Sequence, residues 1–395
     1  MSGVALEGLC VIEAGHAVSA PFCGTMLADF GAEVIKIEPP QGGDLLRGMG
    51  NFKNMWFAVD DRNKKCITLD LRSEKGKALF AELLRSADVF LENYRPGAMA
   101  KMGFGWEDVQ KINPRLIMAS VSGYGQTGPY KTKPGFDRLG MAMGGLTYIT
   151  GYPDRAPLRP GLAVADYLTG MFTLSGVLMA LYNRDVVGTG KGQHIDSSLY
   201  ESIFRISEAT VADYSYKGVI RERVGNAHIS TIPGGHYLTS DDKYLVLAVG
   251  GDKVFTRFAE LIGRKDLAED ERFKNGEARH ANRDIIDDIA AKWIREHTLQ
   301  ECLDAFGDDI PNGAIYSIAD IMEDPHFKAR DNVVKVDAGE FGSILMQGVV
   351  PKLSETPGEV RWAGPEMGAF NREIYTDKLG LSSEEVEQLR ADGVI

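Results

Sequence analysis

The stretch "LCVIEAGHAVSAPFCGTMLADFGAEVIKIE", residues 9–38, decides the fold class because it contains three elements in a fixed order. "LCVIEA" is a short apolar run typical of a buried strand. "PFCGTMLADFG" predicts a helix that opens with Pro21 and is closed by Gly31. "AEVIKIE", residues 32–38, predicts a second strand. A strand, a helix and a strand in succession are typical of a parallel βαβ unit.

The alternation continues along the chain. "CITLDL" (66–71), "SEKGKALFAELLRSA" (73–87) and "DVFLEN" (88–93) predict a strand, a helix and a strand. "WEDVQKINP" (106–114) and "RLIMASVSG" (115–123) repeat a helix and a strand. Because crossovers between parallel strands are right-handed, this order predicts an α/β protein with a mostly parallel sheet.

The character of the sequence changes near residue 225. "GNAHISTIPGGHYLTSDDKYLVLAV", residues 225–249, is typical of strands and turns, and charged amphipathic helices follow it. We predict a smaller α+β domain over residues 225–328. It is inserted into a large domain of residues 1–224 and 329–395, which is therefore built from both chain ends.

Composition limits the classes of partner. The chain has 395 residues and a formal net charge of -12, which disfavours nucleic acids and anionic membranes as partners. The N-terminus has no basic region before an apolar run, so we expect no signal peptide and a cytoplasmic protein. The most apolar stretch, residues 167–182, is short for a bilayer span and contains Gly170 and Gly176. It predicts a buried helix of a soluble domain.

Neither the cysteines nor the histidines form a metal-binding pattern. The four cysteines are scattered without a CxxC pair, which fits a reduced cytoplasm. The seven histidines make no HxxH or HExxH pattern. We therefore predict no metal site.

Two glycine-rich stretches resemble nucleotide-binding loops and lack their essential features. "SGYGQTGPY", residues 122–130, has the GxGxxG spacing, but no helical pattern follows it to hold a pyrophosphate. "GTGKGQ", residues 188–193, has Gly192 where a phosphate loop needs Ser or Thr. No GxSxG elbow is present, which disfavours a serine hydrolase of the α/β type.

Asp166 is the candidate for chemistry. It follows a long Pro-rich approach, "GYPDRAPLRPGLAVAD", and precedes the apolar helix. Aspartate is a common N-cap, so the residue could serve the helix alone. A helix N-terminus also favours the ionised form, which a carboxylate nucleophile needs. The position of Asp166 in the sequence does not decide between a helix cap and a nucleophile.

Eight segments of the chain together form a specific pattern. They are, in order, "GHAVSAPFCGTMLADFGAEVIKIEPPQGGD", "CITLDL", "ENYRPGAMAKMGF", "NPRLIMASVSGYGQTGPY", "GFDRLGMAMGGL", "ADYLTG", "GTGKGQHIDSSLYE" and "LGLSSEEVEQLRADGVI". This ordered set resembles the class III coenzyme A transferases, the family of the formyl-coenzyme A and carnitine coenzyme A transferases. The resemblance covers nearly the whole chain, and the set is highly specific although each segment alone is weak.

This resemblance implies a Rossmann-like large domain, a smaller inserted domain and an interlocked homodimer. It also implies that Asp166, in "ADYLTG", is the nucleophile. Its carboxylate would attack an acyl-CoA thioester to form a mixed anhydride, and the released CoA would then form an aspartyl-CoA thioester. Finally, the carboxylate of the incoming acid would react, and CoA would leave on the new acyl group. The expected substrates are an acyl-CoA and a small carboxylic acid, with no permanently bound cofactor.

The resemblance also assigns binding residues for coenzyme A. Val18 stands where some members have a glutamine near the nucleophile, which disfavours oxalate as the acceptor. Gly234 and Gly235 in "IPGGHY" are candidates for a loop over the site or for a plain strand-entry turn. The remaining candidates are Ala17 with Val18 at the thiol end, Leu69, Asn93, Tyr94, Lys101 and Met102 for the nucleotide, and Leu199 near the pantetheine.

The main rival is the related α-methylacyl-CoA racemase group. Those enzymes need a base on each face of the α-carbon and supply a histidine in a "GHD" segment. Here the segment is "GFD", with Phe136 in place of the histidine, so one base is missing. Phe136 is instead a candidate for the substrate side of the site. A third possibility is an inactive CoA-binding relative.

Overall fold

The predicted βαβ unit of residues 9–38 is present in the computed structural model, which describes residues 3–227 and 231–395. The helix begins at Ser19, two residues before the predicted Pro21. Pro21 still lies in the first turn, where its missing N–H removes no helix hydrogen bond. The two strands pair in parallel, with Val11 beside Val34.

The part of the chain that the structure describes contains eleven strands. Six of them form one parallel sheet in the order β3-β2-β1-β4-β5-β6. This order is that of a Rossmann-like sheet. The strands are β1 (Cys10–Glu13), β2 (Glu33–Glu38), β3 (Lys65–Thr68), β4 (Val89–Glu92), β5 (Ile117–Ser122), β6 (His194–Ser198), β7 (Gly234–Leu238), β8 (Tyr244–Ala248), β9 (Asn312–Ala314), β10 (Val333–Asp337) and β11 (Ser343–Gln347).

Helices connect the strands of the parallel sheet and also surround the smaller sheet. The α-helices are α1 (Ser19–Asp29), α2 (Met55–Asp60), α3 (Glu74–Arg85), α4 (Ala98–Lys101), α5 (Trp106–Ile112), α6 (Asp137–Met143), α7 (Leu146–Ile149), α8 (Val164–Leu181), α9 (Leu199–Arg205), α10 (Thr210–Lys217), α11 (Asp252–Leu261), α12 (Asp266–Glu269), α13 (Gly276–Ala281), α14 (Arg283–Arg295), α15 (Leu299–Phe306), α16 (Ile318–Glu323), α17 (Pro325–Ala329) and α18 (Ser383–Ala391).

Both faces of the parallel sheet are buried, as expected for strands that are continuously apolar. Ile12 and Phe90 point to a core shared with α3 and with Tyr375 near the C-terminus. Val11 and Leu91 point to the opposite core, under α1 and α8. Residues from both chain ends therefore pack on the same sheet.

The strand order reverses between β1 and β4, which are neighbours in the sheet although β2 and β3 separate them in sequence. In open parallel sheets, ligands bind outside the carboxyl ends of the strands at such a reversal. The loops that follow Glu13 and Glu92 lie at this point.

The chain divides into two compact units. The first comprises residues 1–147, 159–219 and 326–395, and the second comprises residues 148–158 and 220–325. The second unit contains the antiparallel sheet β7-β8-β9 and its own apolar core, with Leu245, Phe258 and Ile294 fully buried.

Helix α8 is buried on one side only, so the prediction of a fully buried helix is wrong for its other side. Thr169, Gly170 and Thr173 face the interior, whereas Met179 is 70% exposed. Among the described residues, Val164–Val186 is the one helical segment long and apolar enough to cross a membrane, a test that core helices of soluble proteins also pass.

Gly170 lets α8 approach α1 closely. A Cβ atom at this position would lie 2.8 Å from the Ser19 carbonyl oxygen and 3.1 Å from the Phe22 ring. We expect Gly170→Val to lower the free energy of unfolding by about 1–3 kcal/mol, because the added atoms have no space. Chemical denaturation measures this loss. Gly161→Ala is the control, since a Cβ there meets nothing within 4 Å, and equal stability of both variants would contradict the prediction.

Candidate active site

The loop after β1 adopts an unusual backbone conformation at the sheet reversal. Ala17 has φ 58°, a left-handed value that costs a residue with a side chain about 1 kcal/mol or more. The carboxylate of Asp44 accepts a hydrogen bond from the Ala17 N–H at 2.9 Å. The Asn93 side chain accepts from the His16 N–H at 2.8 Å and donates to the His16 carbonyl at 2.7 Å. These contacts hold the loop in place.

A buried ionic cluster anchors Asp44. Lys36 Nζ lies 2.8 Å from both Glu13 and Asp44, and Lys64 Nζ lies 2.7 Å from Asp61. All five side chains are fully buried. Burial alone would lower the pKa of Lys36, but the surrounding carboxylates raise it well above its usual range. Both lysines therefore stay charged. Burial alone would raise the pKa of Asp44, but Lys36 and the backbone N–H groups of Leu46 and Ala17 keep it below its usual value.

The start of α8 is capped by a residue from another helix. α8 begins at Val164, and no side chain at its N-cap, Ala163, bonds to the helix. Instead, Asp137 in α6 accepts hydrogen bonds from the N–H of Ala165 at 2.9 Å and, more weakly, of Asp166 at 3.4 Å. The possible role of Asp166 as the N-cap is therefore wrong, because Asp137 takes it and Asp166 lies within the first turn.

Asp166 carries a strongly perturbed carboxyl group. The residue is half-buried, and burial together with the nearby Asp137 carboxylate raises its pKa from 3.8 to about 7. The expectation that the helix N-terminus keeps Asp166 ionised is therefore wrong in direction. Loss of hydration and the neighbouring negative charge outweigh the helix dipole. A strongly shifted carboxyl beside a second carboxylate is typical of a functional site.

Tyr167, the next residue, connects α8 to α2. Its hydroxyl donates to Asp60 at 2.7 Å, and the Trp56 indole N–H donates to the same carboxylate at 2.8 Å. The Val18 side chain belongs to the same apolar cluster as Trp56 and Tyr167. The thiol-end residue predicted from the resemblance thus lies beside the residue that follows Asp166.

The structure brings several of the predicted coenzyme-binding residues together. Leu69, Tyr94 and Met102 share one apolar cluster, and the Tyr94 ring lies edge-on to His16 with centroids 4.9 Å apart. Lys101 is exposed at the end of α4. Tyr94 follows β4, at the reversal, whereas Leu69 follows β3, at the edge of the sheet.

The remaining predicted residues lie elsewhere. Leu199 is buried at the start of α9, in one apolar cluster with Ala165. Phe136 is exposed at the N-cap position of α6. Gly234 and Gly235 are strand residues of β7 in the second unit, paired with Ala248 and Leu247, and not a free loop.

Sequence reasoning misses three acidic residues of this region. Asp137 lies in the quoted segment "GFDRLGMAMGGL" and Asp44 ends another, but no local pattern shows which backbone N–H either residue meets. No sequence motif marks Asp60, because its partner Tyr167 lies 107 positions away along the chain.

Comparisons with known proteins agree on one family. The model described as CoA-transferase family III matches residues 6–371. The chain is 44% identical to the succinyl-CoA–D-citramalate CoA-transferase of Chloroflexus aurantiacus, over 99% of this chain and 98% of that protein. It is 34% identical to the formyl-CoA:oxalate CoA-transferase of Streptomyces coelicolor, over all of both chains.

A solved structure has a similar fold. A CAIB/BAIF family protein from Brucella suis superposes with a TM-score of 0.85 at 33% identity, over 95% of this chain and 99% of that one.

The pairing of Asp137 with Asp166 makes a testable prediction about charge. Asp137→Asn keeps an oxygen that accepts from the α8 N–H groups but removes the negative charge. We expect the pKa of Asp166 to fall from about 7, measured by carboxyl ¹³C NMR titration. Asp108→Asn, on α5 with a side chain that is 40% exposed, is the control. An unchanged Asp166 titration in the Asp137 variant would show that the two carboxylates do not interact.

Proposed function

The chain belongs to CoA-transferase family III, and on this basis we propose that Asp166 is its nucleophile. The observation that carries the proposal is the half-buried position of Asp166 in the first turn of α8, beside the Asp137 carboxylate. Burial and this neighbour raise its pKa to about 7. A carboxylate with this pKa is more basic than an ordinary one and is substantially ionised at neutral pH. Part of Asp166 is therefore ionised at neutral pH, and its carboxylate is a stronger nucleophile than an ordinary one.

The proposed reaction proceeds in balanced steps. An Asp166 oxygen attacks the thioester carbonyl carbon, the C–S bond breaks, and a mixed anhydride and CoA thiolate form. The thiolate attacks the Asp166 carbonyl carbon, which releases the donor acid and leaves an aspartyl-CoA thioester. The acceptor carboxylate then displaces the thiolate to form a second anhydride. Attack of the thiolate on the acceptor's carbonyl carbon gives the new acyl-CoA and restores Asp166.

The coenzyme would bind along the loops at the sheet reversal. We assign Ala17 and Val18 to the thiol end, and Leu69, Asn93, Tyr94, Lys101 and Met102 to the nucleotide, with Leu199 near the pantetheine. The support is that Leu69, Tyr94 and Met102 share one cluster, and that Asn93 fixes the loop before Ala17. Tyr94 and Met102 offer an apolar slot for adenine, and the exposed Lys101 offers a phosphate contact.

The names of the relatives suggest which donor and acceptor acids take part in the reaction. Proteins of Chloroflexus aurantiacus that are 39–44% identical to this chain are named for succinyl-CoA with D-citramalate or L-malate. We assign succinyl-CoA as the donor and a four- or five-carbon acid as the acceptor. Phe136 stands where racemases supply a histidine base, so α-proton exchange is not proposed. Gly234 and Gly235 belong to the proposed small domain of residues 225–328, where their pairing in β7 argues against a moving loop.

Replacement of the nucleophile tests the mechanism. We expect Asp166→Asn to reduce CoA transfer at least about a thousand-fold, because no anhydride can form. Hydroxylamine added during turnover should modify the peptide that contains residue 166 in the original protein only, as read by mass spectrometry. Asp154→Asn, in an exposed loop, is the control. Full transfer by a folded Asp166 variant would exclude the nucleophile role.

The same variant has an expected stability signature. Because the folded-state pKa of Asp166 is raised above 3.8, ionisation opposes folding as the pH rises between these values. Asp166→Asn should therefore raise the denaturation midpoint at pH 8 and change it little near pH 3.5. This result would also show that the inactive variant is folded.

An interlocked homodimer is part of the proposal. Its support is a set of apolar side chains exposed on the first unit, including Met171 and Met179 on α8 and Tyr214 and Tyr216 on α10. Large exposed apolar surfaces mark interaction sites.

Light scattering should give twice the mass of one chain, without dissociation on dilution, if the two chains are threaded together. Met179→Glu should weaken association, whereas Ile318→Glu, at an equally exposed apolar position of the second unit, should not. A monomer at all concentrations would contradict the proposed dimer.

A further inference from the structure

A row of polar side chains crosses the parallel sheet next to the residues assigned to the nucleotide. Glu92, the last residue of β4, pairs with Ser120 on β5, and Ser120 pairs with Asp196 on β6. Because the three residues share one register, their side chains lie on the same face of the sheet. Glu92 is 4% exposed and Ser120 is 1% exposed. A carboxyl group at this depth needs hydrogen-bond partners.

Hydrogen bonds connect Glu92 to the loop that follows it and to the neighbouring strands. Glu92 Oε2 accepts from the backbone N–H of Tyr94 at 2.8 Å. The Ser120 side chain hydrogen-bonds to the same carboxyl group, and His194 Nε2 lies 2.9 Å from Ser120 Oγ. Glu92, Ser120 and His194 also line a cavity of about 110 Å³, which is large enough for water. The hydrogen-bonded chain therefore has access to water, with which it can exchange protons.

This chain of hydrogen bonds remains complete in both charge states of Glu92. When Glu92 is ionised, the Ser120 hydroxyl donates to it, and the Ser120 oxygen accepts from the Nε2–H of His194. When Glu92 is protonated, it donates to Ser120, whose hydroxyl then donates to Nε2 of the other His194 tautomer. His194 stays neutral because burial lowers its pKa. Glu92 can therefore gain or lose a proton without leaving a buried group unpaired.

The surroundings of Glu92 place its titration near neutral pH. Burial raises its pKa to about 7, its two hydrogen bonds oppose the rise, and the Asp196 carboxylate adds to it. The other titratable side chains beside it are His194 of β6 and, in the loop after β4, Tyr94 and Arg95. An ionised Glu92 holds the Tyr94 N–H more strongly than a protonated one, because charge-assisted hydrogen bonds are about twice as strong as neutral ones.

The turn that begins at Glu92 carries residues assigned to the coenzyme. Asn93 holds the His16 backbone through two hydrogen bonds, and the Tyr94 ring lies edge-on to the His16 ring. We infer that Glu92 is a positioning residue for coenzyme A, whose carboxylate fixes the turn that presents Asn93 and Tyr94, and fixes it more firmly when ionised. A turn that is fixed beforehand loses less conformational freedom on binding. This inference rests on the proposed coenzyme site and adds a proton-linked control of its affinity.

Equilibrium binding of free CoA, measured by isothermal titration calorimetry between pH 6 and pH 8, tests the inference. We expect the affinity of the original protein to rise about three- to tenfold over this range, the difference expected between a neutral and a charge-assisted hydrogen bond. Glu92→Gln imitates the protonated form, so it should match the original protein at pH 6 and lack the rise toward pH 8. The two proteins share every other titrating group, so the difference between their profiles reports on Glu92.

A second variant tests the hydrogen-bonded chain, and it does so even if the Glu92 variant does not fold. Ser120→Ala removes a donor to the ionised carboxylate, which raises the pKa of Glu92 further. The rise in CoA affinity should therefore move upward by about one pH unit, a change that a merely structural role would not produce. Glu107→Gln, the same replacement as in the Glu92 variant but at an exposed position of α5, is the control and should leave the profile unchanged.

The outcomes separate the inference from the proposed function. In CoA transfer at pH 8, Glu92→Gln should raise the KM for succinyl-CoA and leave kcat within about twofold, because it alters binding alone. Equal binding profiles of the original protein and a folded Glu92 variant, or an affinity that falls as the pH rises, would overturn the role of Glu92 and leave the CoA transfer intact. An unmoved profile in Ser120→Ala would overturn it too. Absence of CoA binding to the original protein would overturn both.

Discussion

The hydrogen bond from the Ala17 N–H to the Asp44 carboxylate is the contact on which the geometry of the region depends. A left-handed backbone at a residue with a Cβ persists only when its surroundings compensate for the strain. Here the compensation is ionic, because Lys36 holds the other Asp44 oxygen at 2.8 Å in a fully buried cluster. If the cluster lost one partner, an uncompensated charge would remain inside the protein, at a cost of several kcal/mol. The loop at the sheet reversal is thus tied to a fully buried ionic cluster.

Stability and reactivity oppose each other at Asp166. Burial and the Asp137 carboxylate both disfavour its ionised form, so the protein loses folding free energy at the pH where the proposed mechanism needs the carboxylate. The α8 N-terminus does not offset this loss, since its N–H groups bond to Asp137 instead. Asp137 therefore both supports the helix and raises the basicity of its neighbour. Such a conflict is typical of sites kept for chemistry.

How much of this structure the sequence predicts depends on how far apart along the chain the interacting residues lie. The strands and helices of residues 9–123 depend on local apolar periodicity, and the parallel sheet agrees with the prediction. The sequence overestimates the burial of α8, because an apolar segment does not show which of its sides meets a partner. The capping of α8 by Asp137 depends on a contact 28 positions away, which no local pattern contains. Asp166 itself is identified only through the ordered family segments, because its position before an apolar helix also fits a cap.

Three aspartates in this region differ in pKa because their surroundings differ. Asp44 is buried beside a lysine that lowers its pKa, so it stays charged and serves as a structural anchor. Asp166 has a carboxylate neighbour and no cation among the causes of its shift, so its pKa rises to about 7. Asp60 lies between these cases: burial raises its pKa, while the hydroxyl of Tyr167 and the indole of Trp56 oppose the rise. The two hydrogen bonds come from neutral groups, and the positive charges of Lys64 and Arg62 also oppose the rise. Asp60 is thus stabilised both by neutral donors and by positive charge, and its surroundings are intermediate between those of Asp44 and Asp166.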